Sequence, residues 1–305
     1  MVDGTLADWL LDQDPALRWQ VERDLLHAGE DVWRATRARV ATEGFGARLL
    51  ALQDADGQWA GGAYFPADFD FNGPEAQDGA GQPWTATTWS LNALRDWGVD
   101  ASALAGSADK LAENSRWEYD ELPYWGGEVD CCINGYTLAN GTWLGADVGG
   151  LVMWFADHQL PLNSLNGLLC YDDLTGGSDT TREMRRRGED YLLERGLFRR
   201  RSTGQPVGAW ATEFVYPQRW VYTVLSAADY FLSAAAVDGR APDPRMGDAI
   251  ELIRAARQPD GTWLQQGQHA GRVWFDVDVA VGEPSPWLTL FASRVLEWWD
   301  TCRHP

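Results

Sequence analysis

The sequence has 305 residues, 45 acidic against 25 basic side chains, a formal net charge of −20, and 18 tryptophans. So acidic a chain excludes nucleic acid as a partner, because phosphate backbones need a cationic face. No apolar run approaches the roughly 20 residues of a membrane span, and 45% hydrophobic content excludes a disordered chain.

In chain order, helical periodicity predicts segments at 4–13, 15–28, 34–53, 83–97, 102–115, 130–144, 146–159, 162–175, 179–196, 217–235, 243–258 and 286–301. They alternate in character. The first, third and every second one after it carry a polar face and acidic or capping starts. The others are richer in Ala, Gly, Ser and Asn and often follow Pro or Gly. This alternation predicts an all-α fold, an (α/α)6 toroid of six outer and six inner helices. It would form one domain over 1–305, with small residues crowding the central axis.

The opening MVDGTLADWLLDQD lacks the basic start and long apolar stretch of a secretory leader. Cys131, Cys132, Cys170 and Cys302 include an adjacent pair and no C-x-x-C, so they are not a disulfide framework. A cytoplasmic location is the expectation.

Two links share one pattern after a polar-faced helix: Gln53-Asp-Ala-Asp-Gly57-Gln-Trp59 and Gln258-Pro-Asp-Gly261-Thr-Trp263. Asp-Gly suits the turn, and the Trp can pack back across the helix end. A recurring helix-turn-aromatic unit points to internal repeats. These segments resemble the QW motif of the squalene–hopene cyclase and protein prenyltransferase superfamily. The resemblance covers nearly the whole chain, as a single barrel. One place departs from it. Asp157-His158-Gln159-Leu160-Pro161 begins like a QW turn, yet Leu162 follows as the interior of the next inner helix. A loop is therefore expected to be deleted or disordered between 161 and 162.

In such a barrel, the N-terminal ends of the inner helices point to one mouth of the cavity, and their first-turn side chains build the site. Trp125-Gly-Gly-Glu128-Val-Asp130-Cys131-Cys132-Ile-Asn134-Gly-Tyr136 brings a carboxylate, two thiols, an amide and a phenol to one such start. In one reading, Asp130 is a buried acid with a raised pKa, assisted by Cys132 and Tyr136. In another, it simply caps the helix beside small core cysteines. In a third, Asp130 and Cys132 resemble the D-x-C zinc ligands of protein prenyltransferases, with His269 in a nearby loop as the further ligand. No cofactor is otherwise expected.

Asp276-Val277-Asp278-Val279 looks like the D-x-D-D acid motif of triterpene and class II diterpene cyclases, with its last Asp replaced by Val279. The replacement argues against strong-acid attack on an isolated alkene. It leaves open protonation of an alcohol or epoxide, or an isomerisation. Asp68-Phe69-Asp70-Phe71-Asn72 reads as a lid, a metal-diphosphate site or a plain surface loop. The substrate-binding candidates are Trp84, Trp89, Trp125, Asn134, Trp220, Tyr222 and Trp287. The aromatic faces among them can each stabilise a cation by roughly 0.5–2 kcal/mol.

The resemblance implies an acid catalyst of the isomerase or lyase type. It would cyclise, isomerise or dehydrate a small apolar isoprenoid-like substrate, with Asp130, Asp276 or Asp278 supplying the proton. A carbohydrate-active α/α barrel with paired carboxylates and a non-catalytic apolar-ligand binder are the alternatives.

Overall fold

A computed structural model describes residues 3–77, 79–158 and 160–303. Among the described residues every regular element is helical, and sheet-like pairing is confined to isolated bridges such as Trp59–Gly62 and Leu264–Pro284. The fold is all-α, as expected. Among these residues no helix is long and apolar enough to cross a membrane.

The α-helices are α1 (Gly4–Leu11), α2 (Pro15–Asp24), α3 (Glu30–Arg39), α4 (Gly44–Leu50), α5 (Thr87–Asp96), α6 (Ser107–Asn114), α7 (Cys131–Leu144), α8 (Gly149–Trp154), α9 (Leu162–Thr175), α10 (Asp179–Leu193), α11 (Val224–Asp238), α12 (Gly247–Ala255) and α13 (Pro286–Arg303). Each predicted segment holds a helix. The segment 34–53 divides into α3 and α4, because Gly44 turns the chain at φ 62°. Two small-residue segments start later than expected, at Thr87 and Val224, leaving Trp84, Trp220 and Tyr222 in the preceding loops.

Local chemistry explains the helix ends. Asp3 and Asp14 accept backbone N–H groups at the starts of α1 and α2, and Pro15 occupies the first turn of α2. Thr223 and Ser226 form a reciprocal capping box on α11. Left-handed Gly145, Gly176 and Gly239 end α7, α9 and α11. Pro161 and Leu162 are consecutive in the 305-residue chain, and α9 starts directly there. Gln159 of that unfinished turn lies outside the described residues.

The chain forms two compact units. One comprises Met1–Thr36, Arg186–Gln268 and Val277–Pro305, the other Arg37–Arg185 and His269–Asp276. In the first unit α2 and α11 both pack on α13, while α12 covers α11 and α13. Its core includes Val21, Leu225, Ala228, Ile250, Ile253, Leu288 and Val295. In the second unit α7 is central, between α5 and α9. A Cβ on Gly135 would lie 2.4 Å from the Asn163 carbonyl oxygen, and one on Gly167 2.4 Å from that of Gly135. Only glycine lets α7 and α9 approach so closely.

Each unit contains one helix-turn-tryptophan repeat with the same bonding. In the second unit Trp59 donates its indole N–H to the Leu49 carbonyl at 2.9 Å and its backbone N–H to Thr87 Oγ1 at 3.1 Å. In the first unit Trp263 donates to the Ile253 carbonyl at 2.9 Å and to Thr289 Oγ1 at 3.1 Å. Gly57 and Gly261 sit at φ 93° and 90°, a turn conformation that favours glycine. The bonding also corrects the sequence alignment of the two turns. The Asp54 N–H donates to the Gln58 carbonyl as the Gln258 N–H does to that of Thr262. Gln258 thus matches Asp54, and Arg257 matches Gln53. Gln53 Nε2 donates to the Gly57 carbonyl at 3.0 Å, and Arg257 Nε reaches the Gly261 carbonyl at 3.4 Å.

Candidate active site

The site in the first unit is built at the start of α13. Ser285-Pro286-Trp287 opens that helix, with Pro286 in the first turn and Ser285 Oγ accepting the Leu288 N–H at 3.0 Å. The loop before it folds back on Gln265. The Gln265 N–H donates to the Glu283 carbonyl at 3.0 Å, and the Gly282 N–H donates to the Gln265 carbonyl at 2.7 Å. The Trp287 indole N–H holds the Val277 carbonyl at 3.0 Å.

These bonds set Asp278 beside the helix start. Its Oδ2 accepts the Ser285 hydroxyl at 2.6 Å, while Oδ1 is buried with no hydrogen-bond partner. Burial pushes its pKa from 3.8 up to about 6, with the Ser285 hydroxyl and the Val279 backbone pulling the other way. A carboxyl held partly protonated near neutrality can act as a general acid.

An aromatic wall adjoins it. Trp287 stacks on Tyr216, with ring centroids 4.7 Å apart and planes at 18°. Phe291 lies 5.7 Å from Tyr216 and 6.0 Å from Trp287. Gln265 fixes Tyr216 by accepting its N–H at 2.9 Å and donating to its carbonyl at 2.5 Å. One turn further along the same face of α13, Arg294 lies over the Phe291 ring. It forks onto Asp229 of α11 with two 2.7 Å bonds and reaches Asp24 of α2 at 2.9 Å.

The second unit has its own aromatic cluster. Trp89 contacts Trp84 edge-on at 4.8 Å, Tyr64 at 4.7 Å and Tyr136 at 5.6 Å. The indoles donate to the Ala270 and Tyr64 carbonyls. Burial raises the pKa of both phenols, and the charge of Asp130 adds to the rise at Tyr64. The structure thus brings Trp84, Trp89 and Tyr136 together, as a packed and buried group.

Other candidates fall elsewhere. Asp130 is exposed rather than buried, and its Oδ1 caps α7 by accepting the Cys132 and Ile133 N–H groups at 2.7 and 3.2 Å. Capping keeps the carboxylate at a solvated helix end, which corrects the buried-acid reading. Cys132 is half-buried, its thiol pushed up to about 11 by burial and by Asp130. Asn134 is buried, and its amide both donates to and accepts from the Glu128 backbone at 2.6 Å, stapling the loop to α7. Trp125 donates to the Ala108 carbonyl and packs on Tyr124, apart from the Trp84–Trp89 contacts. Trp220 is 51% exposed, and Tyr222 meets Trp210 edge-on at 5.9 Å. Asp276 is exposed. Among the described residues no three His, Cys, Asp or Glu side chains converge on a metal position. Asp130, Cys132 and His269 therefore do not make the ligand trio suggested for zinc. Asp68 is held by Arg272 through two 2.9 Å bonds, and Phe69 and Phe71 pack on Phe65 at 4.8 and 5.1 Å. This is a surface loop tied by Arg272 and by its own packed rings.

Sequence reasoning missed Ser285, Tyr216, Phe291 and Gln265. Ser-Pro immediately before a helical run was a readable cap signal for Ser285. Gln265 and Tyr216 reach the site only through the folding of distant segments. No family model, curated protein or solved structure matches the chain.

Proposed function

We propose that this chain is an acid-catalysing enzyme of the terpene-cyclase-like type. Asp278 gives a proton to a small apolar, isoprenoid-like substrate lying against Tyr216, Trp287 and Phe291. The observation that carries the reading is the half-buried Asp278 carboxyl, whose Oδ2 takes the Ser285 hydroxyl while its buried Oδ1 makes no hydrogen bond; burial raises its pKa to about 6. The adjacent rings supply π faces for a developing cation, and they lack a lone pair basic enough to quench it. At pH 7 roughly one Asp278 in ten carries its proton. Such a weak acid suits a substrate with a basic oxygen, an allylic alcohol or an epoxide, more than a bare alkene.

The (α/α)6 toroid belongs to the same proposal. In the first unit the last small-residue helix, α13, packs on the first, α2, and on α11; in the second, α5, α7 and α9 follow one another. A closed inner ring needs each of these neighbours. The four cysteines are free, which fits a reducing, cytoplasmic setting.

The test is a panel of isoprenoid alcohols and epoxides incubated with the protein, with products read by gas chromatography and mass spectrometry. Asp278→Asn should cut turnover of any accepted substrate by about 100-fold or more and leave the circular dichroism spectrum unchanged. Full turnover by Asp278→Asn would defeat the reading.

A further inference from the structure

Ser285 does more than start α13. A serine hydroxyl has one proton and two lone pairs. Here Oγ accepts the Leu288 N–H at 3.0 Å, so one lone pair is committed to the helix. Its proton faces Asp278 Oδ2 at 2.6 Å. The two carboxyl oxygens are therefore unequal: Oδ2 already receives a hydrogen bond, while Oδ1 is buried with no partner. A proton added to Oδ2 would crowd the hydroxyl proton in the same 2.6 Å gap, and turning the hydroxyl aside would forfeit its bond to a buried acceptor. A proton on Oδ1 displaces no hydrogen bond.

We infer that Ser285 is a positioning residue that keeps the acidic proton of Asp278 on Oδ1, the oxygen that makes no hydrogen bond within the protein. The inference rests on the reading of Asp278 as the proton donor. In the step, the Oδ1–H bond breaks toward the substrate, a new bond forms between that proton and the substrate's basic atom, and the O–H electron pair stays on Asp278. The Ser285 hydroxyl then bonds a carboxylate, a stronger hydrogen bond than it made to the acid. When the cationic product sheds a proton, the carboxylate takes it back on Oδ1 and the donor is restored. The influences on Asp278 are burial, the Ser285 hydroxyl and the Val279 backbone; no charged side chain is among them. Removing the hydroxyl therefore leaves nothing ionic to mask its effect.

The test reads the free protein and needs no substrate. Infrared difference spectra and ¹³C-carboxyl resonances of labelled aspartates are followed with pH, and Asp278→Asn identifies the Asp278 signal. The wild-type signal should titrate near pH 6. In Ser285→Ala the titration should move up by on the order of one unit. The carbonyl stretch of the protonated acid should rise, because its C=O has lost a hydrogen bond. Ser285→Thr, which keeps the hydroxyl, should restore both. Should Ser285→Ala fold poorly without its cap, Ser285→Gly serves instead, since Gly is tolerated at that position within a few tenths of a kcal/mol. Unchanged titration and carbonyl stretch in the hydroxyl-less variant would overturn the inference, as would persistence of the signal in Asp278→Asn. Neither result depends on turnover, so failure here is separable from failure of the proposed activity.

Discussion

The Tyr216 ring lies parallel to the Trp287 indole, with centroids 4.7 Å apart and planes at 18°. Two separate anchors hold this stack. Gln265 grips the Tyr216 backbone, and the Trp287 N–H grips the Val277 carbonyl. The second anchor couples the aromatic wall to the loop bearing Asp278.

Replacing that indole separates wall from anchor. Trp287→Ala should cost about 3–5 kcal/mol of stability, as large buried aromatics do. Trp287→Phe keeps a ring and leaves the Val277 carbonyl without its donor, at about 1–3 kcal/mol. It should also loosen the loop, so amide exchange at Val277 to Val279 should speed up more than in α13. Urea unfolding and hydrogen-exchange mass spectrometry read both effects.

Asp278 should leave a signature in the pH dependence of stability. Its folded pKa, about 6, lies above the ordinary 3.8. The folded state therefore holds the proton more tightly than the unfolded state. The stabilisation is complete below pH 3.8 and is lost as pH rises through 6. Asp278→Asn should then be more stable than wild type at pH 7.5, by on the order of 2 kcal/mol, with the gap closing toward pH 4. Chemical denaturation at several pH values measures the gap. A gap that widened toward acid would contradict the assignment.

Arg185 donates Nε to Asp172 Oδ2 at 2.6 Å, with both side chains only 1% exposed, and Thr181 donates to the other carboxylate oxygen. A buried charge without its partner is costly. Arg185→Met alone should destabilise by about 3–5 kcal/mol. Adding Asp172→Leu should recover much of that loss, and thermal unfolding of the two variants decides it.

The matched turns make a milder prediction. Arg257 takes the place that Gln53 holds in the other repeat. Arg257→Gln should change stability by less than about 0.5 kcal/mol. Trp263→Phe, which strips the Ile253 carbonyl of its buried donor, should cost about 1–3 kcal/mol. Calorimetric melting temperatures compare the two.

Helix positions and the two tryptophan turns were legible in the sequence because they are local. Apolar spacing, Asp, Thr and Pro caps and terminal glycines act within a turn or two of chain. The equivalence of Arg257 with Gln53 was not legible, because residue type pointed to Gln258 and only backbone bonding reveals the register.

The site divides the same way. From sequence, Asp130, Asp276 and Asp278 all lie at or just before the start of a small-residue helix, and nothing local ranks them. The structure separates them by burial. Asp130 caps α7 in the open, Asp276 is exposed, and Asp278 is covered because its loop folds back on Gln265 and under Trp287. The sequence by itself determined an acidic, all-helical chain with paired tryptophan turns. Only the tertiary structure decided which carboxyl loses its water, because desolvation depends on residues brought together from distant parts of the chain.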